Sequence, residues 1–308
     1  MSRRPLGTEP PVLVPSVPRW PRWARPEDQR EQDGSAYPVQ VGAALAALDA
    51  AVTASVPYAC AWASRMALAA AAGAVARDGR LEDEAALRDL VAFTPELPAG
   101  PVTVVVRAHL WLAAGAPGHR WSAVPELIAG FGVRDDALPH ALAGHLAAAA
   151  CPLAATAAAV QAVLTVRPGR GALALWAADV TLSRWLGWDH GLPLVTLGFR
   201  QRGGALDALA TADDPRLAGC VLHGATRAFD GFVLLGYRSA ALQALRTRLR
   251  ARAAGAVIDR LLARDALSVA GVRDLIPERA ARRLFDRLTD LGGVRELTGR
   301  STARLYGL

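Results

Sequence analysis

The chain contains no lysine; all 35 of its basic residues are arginine, set against 28 Asp plus Glu. A GC-rich coding bias toward Ala, Arg, Gly and Pro explains the residue type but not its placement. Arg167-Pro168-Gly169-Arg170-Gly171 has glycines and charge, yet lacks the spacing and the lysine of a phosphate-binding loop. Cysteine is scarce as well. Cys60, Cys151 and Cys220 are far apart with no paired spacing, which argues against a disulfide framework or a zinc knuckle and leaves them as small reduced core residues. No apolar run of leader length follows Met1 before prolines interrupt, so a cytoplasmic location is expected. The longest uncharged run, Leu146 to Val166, is mostly alanine and holds Pro152, Thr156 and Gln161, so it reads as buried helix and not as a membrane span. No membrane partner, metal or cofactor is expected.

What is present is alanine, which supplies most of the 52% hydrophobic share and favours helix and close helix packing. The 308 residues suffice for one large or two ordinary domains. Residues 1–38 form a Pro/Arg/Trp-rich irregular arm, whose run Pro18-Arg19-Trp20-Pro21-Arg22-Trp23 permits no helical or strand period; its tryptophans are expected to dock on the body. Residues 39–245 read as an all-α body with short connections. Val41, Leu45, Leu48 and Val52 carry a first helix, and Tyr58 to Arg77 a second. Leu81 to Phe93 forms a third, with Glu82, Asp83 and Glu84 in its first turn, where carboxylates meet the positive helix end. Val102 to Leu112 has strand-favouring valines but a helical continuation, and is assigned to helix. Ala141 to Val166 is alanine-rich helix. Ala172 to Leu186 turns Leu175, Trp176, Leu182 and Trp185 inward and stops at Gly187. A pair of helices, about Pro215 to Gly236 and Arg238 to Arg252, closes the body.

The charge is not evenly spread. From Arg246 onward there are 14 Arg and 7 acidic residues, so the whole formal excess of +7 lies in 246–308. A local surplus of this kind attracts phosphate polyanions. The same stretch reads as three helices and a hairpin. Val257, Ile258, Leu261 and Leu262 mark the first helix, Asp265 to Ser268 a turn, and Val269 to Ile276 a short second helix capped by Ser268. Pro277 opens a third, with Ala281, Leu284, Phe285, Leu288 and Leu291 on one stripe and Arg279, Arg282, Arg283 and Asp286 on the other. After Gly292-Gly293, Val294 to Leu297 and Arg304 to Tyr306 read as two strands joined by a glycine turn. This is the layout of a winged helix-turn-helix, and it makes double-stranded DNA the expected partner. Arg279, Arg282 and Arg283 are the candidates for the major groove or its phosphates, and Arg300 and Arg304 for the wing. Arg260, Arg264 and Arg273 read as solvated surface charge.

The text itself has a relative. Glu278-Arg279-Ala280-Ala281-Arg282-Arg283-Leu284-Phe285-Asp286-Arg287-Leu288, then Leu291-Gly292-Gly293-Val294-Arg295-Glu296-Leu297-Thr298-Gly299-Arg300 and Arg304-Leu305-Tyr306-Gly307-Leu308, closely resemble the tail of a bacterial family catalogued as domain of unknown function 1403. Gly42-Ala43-Ala44-Leu45-Ala46-Ala47-Leu48-Asp49 and Ala172-Leu173-Ala174-Leu175-Trp176-Ala177-Ala178-Asp179 are similar to phrases in that family's body. The resemblance brings no activity with it. The tail also resembles the winged segment that closes many Fic-type AMP-transferases, but their His-Pro-Phe and glycine-asparagine-glycine-arginine signature is absent.

No catalytic constellation emerges. His140 and His145 are five apart and do not share a helical ridge as metal ligands need. Asp189-His190 reads as a turn, and Asp49 and Asp179 as structurally paired carboxylates. The expectation is a transcriptional or replication-associated DNA-binding regulator whose body senses a ligand or mediates assembly, including a homodimer. The alternatives are an interaction scaffold that uses the same module on protein, and a helical enzyme drawing on Asp179, Asp189 and His190.

Overall fold

A computed structural model describes residues 20, 21, 25, 37–94, 96–115, 121–199, 206–249, 254–298 and 303–308. Among the described residues twelve α-helices run in order: α1 Tyr37–Val52, α2 Ala59–Arg77, α3 Glu84–Phe93, α4 Pro101–Ala113, α5 Val124–Gly130, α6 Ala137–Ala148, α7 Pro152–Val166, α8 Gly171–Trp185, α9 Leu194–Gly198, α10 Pro215–Ala244, α11 Ala254–Ala263 and α12 Glu278–Asp290. Three short strands, β1 Leu267–Ser268, β2 Arg295–Glu296 and β3 Leu305–Gly307, form an antiparallel sheet in the order β1-β3-β2. Leu267 pairs with Tyr306, and Arg295 with Gly307. The protein is therefore mainly helical, with its only described sheet near the C-terminal end.

Alanine shapes the packing. Ala61, Ala63, Ala67, Ala70, Ala71 and Ala74 give α2 a small-residue surface, and the helix lies against α3, α4 and α10 with Trp62 and Met66 as its large anchors. Trp62 donates its indole N–H to the Ala228 carbonyl oxygen at 2.8 Å, which satisfies the one polar atom of a fully enclosed ring. Among the described residues α2 is the one helix long and apolar enough to cross a membrane, and two thirds of that window is buried against the rest of the protein. The core is continuous: one cluster of buried side chains runs from Leu48 and Trp176 through Leu242 to Phe285 and Tyr306. Trp20 of the arm docks edge-on to Phe229, with ring centroids 5.6 Å apart, and Arg25 pairs with Asp230.

Several sequence expectations need correction. The alanine-rich run is two helices, because the chain is extended at Ala149 and Cys151 before Pro152 restarts it as α7. The expected pair about Gly236 is one thirty-residue helix, α10; Gly236 is buried there and serves packing, not termination. Helix α3 begins only at Glu84, with the Asp83 carboxylate accepting from the Ala86 N–H, while Leu81 is almost wholly exposed. Trp185 and Leu291 are partly exposed instead of inward, and Cys60 and Cys151 lie at the surface. Arg246 to Arg248 forms a single 3-10 turn.

Two glycines bring α9 and α10 into close backbone contact. A β-carbon on Gly198 would lie 1.8 Å from the Cys220 carbonyl oxygen, and one on Gly224 would lie 1.8 Å from that of Leu194. The N-terminus of α9 is fixed by Asp179 of α8. That carboxylate is fully buried and accepts from the Val195 N–H at 2.6 Å and from the Thr196 hydroxyl and N–H. Burial pushes its carboxyl up to about 8, against the opposing pull of these donors.

Candidate functional site

The C-terminal region is built on an amphipathic helix. Ala281, Phe285 and Leu288 of α12 are fully buried, and Phe285 stacks on Tyr306 of β3 with ring centroids 4.5 Å apart. Helical spacing then turns Arg279, Arg283, Asp286 and Asp290 outward, and all four are exposed. The outer face is thus cationic over its first two turns and acidic over its last two. Gly292, at φ +70°, ends the helix in the left-handed conformation that favours glycine.

The arginines expected to form the site have different surroundings. Arg279 and Arg283 make no hydrogen bond or ion pair with a described residue. Arg282 donates to Glu278 at 2.6 Å, and the same carboxylate accepts from Arg273 at 3.1 Å. These two guanidinium groups hold the Glu278 carboxyl below the usual range, Arg282 contributing most. Arg304 lies 3.7 Å from Glu296 across the β2–β3 pair. Arg300 falls outside the described residues. A polar cleft of about 500 Å³ opens beside α12, lined by Ser268, Arg273, Glu278, Arg282, Asp286 and Arg304. Arg282 and Arg304 share this cleft; Arg279 and Arg283 stand on the outer face.

Elements upstream of α12 also differ from expectation. The second helix is a 3-10 turn, Ala270–Val272, and the presumed turn before it contains strand β1. Ser268 still caps, since its Oγ accepts from the Gly271 N–H at 3.2 Å. Arg260 is not a free surface charge but pairs with Asp274.

Sequence reasoning missed the device that fixes this region to the helical body. Asp265, between α11 and β1, is buried and accepts from Arg65 of α2 through Oδ1 and from Arg88 of α3 through Oδ2, both at 2.7 Å. Arg65 donates further to the Leu308 main-chain oxygen at 3.1 Å. Burial pulls Arg88 down, but Asp265 and Glu84 together hold its pKa above the ordinary value. No local spacing reveals such a contact. Arg-Asp at a helix end signals only a cap.

The residues considered for an enzyme are not brought together. The Asp179 carboxylate is used in holding α9, while His190 sets Nδ1 3.2 Å from the Ala113 carbonyl oxygen at the end of α4. The adjoining Gly191 N–H donates to Leu112, so Asp189-His190-Gly191 is a turn pinned to α4. Asp49 accepts from the Trp188 indole at 2.9 Å. Among the described residues there is no group of three or more His, Cys, Asp or Glu placed to hold a metal ion.

The model of a family described as Protein of unknown function (DUF1403) matches residues 13–308. No curated protein and no solved structure matches the chain.

Proposed function

The chain belongs to the DUF1403 family, and we propose that it binds duplex DNA through its C-terminal region, with α12 as the recognition helix of a winged helix-turn-helix. The observation that carries this reading is the order of elements joined to the order of strands. Helix α11, strand β1, a helical turn, helix α12 and the β2–β3 pair follow one another, and β1 joins the sheet through β3. This order supports reading the β2–β3 pair as a wing beside the start of an exposed helix. Arg279 and Arg283 supply cations with no hydrogen-bond or ion-pair partner among the described residues, and Asp286 and Asp290 disfavour phosphate contact near the far end of the helix. A transcriptional or replication-associated role follows from that binding.

Glu278 tunes the interaction. It occupies Arg273 and Arg282 as an internal carboxylate, which a DNA phosphate must displace before these side chains contribute. Replacing Arg279 and Arg283 together by Ala lowers affinity for a random-sequence duplex about 10- to 100-fold near 0.15 M salt and flattens the slope of log K against log salt by about 2. Glu278→Gln does the opposite, raising affinity several-fold and steepening that slope. Fluorescence anisotropy titrations at four salt concentrations measure both effects. Wild-type affinity that does not change with salt, or identical slopes in all three proteins, excludes this face as a DNA-binding surface.

A further inference from the structure

The helical body contains a second polar cleft, about 490 Å³, where three connections meet: 99–101 before α4, 130–132 after α5 and 169–171 before α8. Arg107 of α4 and Arg170 line it, with one carboxylate, Asp78, and the ring of Phe131. Arg107 spends one nitrogen on the Leu97 carbonyl oxygen at 3.0 Å. The Arg170 side chain bonds no described residue, and its Nη2 lies 3.4 Å from where a β-carbon on Gly132 would stand. Gly132 has φ +76°, a left-handed backbone conformation that favours glycine.

Gly100, Gly130, Gly132, Gly169 and Gly171 are among the lining residues, so main chain forms part of the wall. The first turns of α4 and α8 open into the same cleft, and neither helix has a side-chain cap, so the Thr103, Ala172 and Leu173 N–H groups lack intrahelical acceptors. Two cations from separate elements and these donors converge on one concavity. Its volume falls within the range of small-molecule sites, about 300–1,000 Å³, and exceeds the needs of a lone oxyanion.

We propose that this cleft binds a small phosphorylated molecule, with Arg107 and Arg170 holding the phosphoryl oxygens and the organic part lying toward Phe131 and Asp78. Phosphate is favoured over carboxylate because its several oxygens satisfy both guanidinium groups and main-chain N–H groups together. The site is independent of the DNA-binding reading, since it uses none of the same residues.

The full chain is titrated with inorganic phosphate and with glycerol phosphate at constant ionic strength, sodium chloride and glycerol serving as controls, by calorimetry and thermal shift. Saturable binding is expected for both, tighter for the phosphomonoester. Arg107→Gln combined with Arg170→Gln weakens it at least tenfold, and Arg279→Ala with Arg283→Ala leaves it unchanged. No saturable response in the wild type, or an equal response in the Arg107/Arg170 variant, overturns the assignment. Loss in the Arg279/Arg283 variant relocates the ion to the α12 face and overturns it equally. Tighter binding of inorganic phosphate overturns the organic half. Arg170→Gln alone serves if the double variant does not fold, because that side chain has no described partner to lose.

Discussion

Gly224→Ala is expected to lower the stability of the protein by about 3 kcal/mol or more. The new carbon would be placed 1.8 Å from the Leu194 carbonyl oxygen, far inside van der Waals contact, and the obstacle is backbone, which has no rotamer to move to. Helix α9 is also held at its N-terminus by Asp179, whose carboxylate accepts from the Val195 and Thr196 N–H groups. The pair is reciprocal: Gly198 meets the Cys220 carbonyl oxygen at the same distance, so Gly198→Ala is expected to cost a similar amount. The contrast is Gly73→Ala in α2. Nothing lies within 4 Å of a β-carbon there, and alanine in a helix interior stabilises by about 0.5–1 kcal/mol relative to glycine. Urea unfolding followed by circular dichroism compares the three variants. Equal midpoints for Gly224→Ala and wild type refute the close approach of α9 and α10. If Gly224→Ala accumulates only as insoluble chain while Gly73→Ala is soluble, the packing argument stands.

What could be read from the sequence was what repeats locally. The stripe Ala281, Leu284, Phe285 and Leu288 has helical period, and Gly292 marks its end, so α12 and its cationic opposite face were legible. Arg282 is one helical turn from Glu278, so their pairing is a matter of spacing alone. Strand β1 was not legible, because two residues carry no period and Leu267 is extended only by pairing with the distant Tyr306. Gly236 resembled a stop, yet burial within α10 overrides its weak helix propensity. The glycines around the body cleft looked like ordinary loop punctuation. Only their convergence with Arg107 and Arg170 distinguishes them, and that depends on how α4, α5 and α8 pack.

Asp265→Ala is the second change with a large expected effect, about 3–5 kcal/mol, because it removes the carboxylate shared by two buried guanidinium groups that stay charged at any ordinary pH. Arg65 and Arg88 are each more than nine-tenths buried, and Arg88 keeps Glu84 as its remaining carboxylate while Arg65 keeps none among the described residues. The asymmetry makes Arg65 the costlier orphan. Removing the cation along with the anion relieves the penalty, so Asp265→Ala combined with Arg65→Met is expected to be more stable than Asp265→Ala alone, a positive coupling in a double-mutant cycle. Salt does little to mask the effect, since a buried pair is weakly screened. The loss is also regional: Asp265 and Leu308 tie the β-sheet to α2 and α3, so backbone amides of β1 and β3 exchange faster with solvent in Asp265→Ala while those of α8 are less affected. Hydrogen exchange read by mass spectrometry resolves the two regions. Uniform acceleration across the chain would show that the carboxylate supports the whole fold rather than the junction, and unchanged exchange at β1 and β3 would show that the apolar contacts of Leu267, Phe285 and Tyr306 hold the sheet without it.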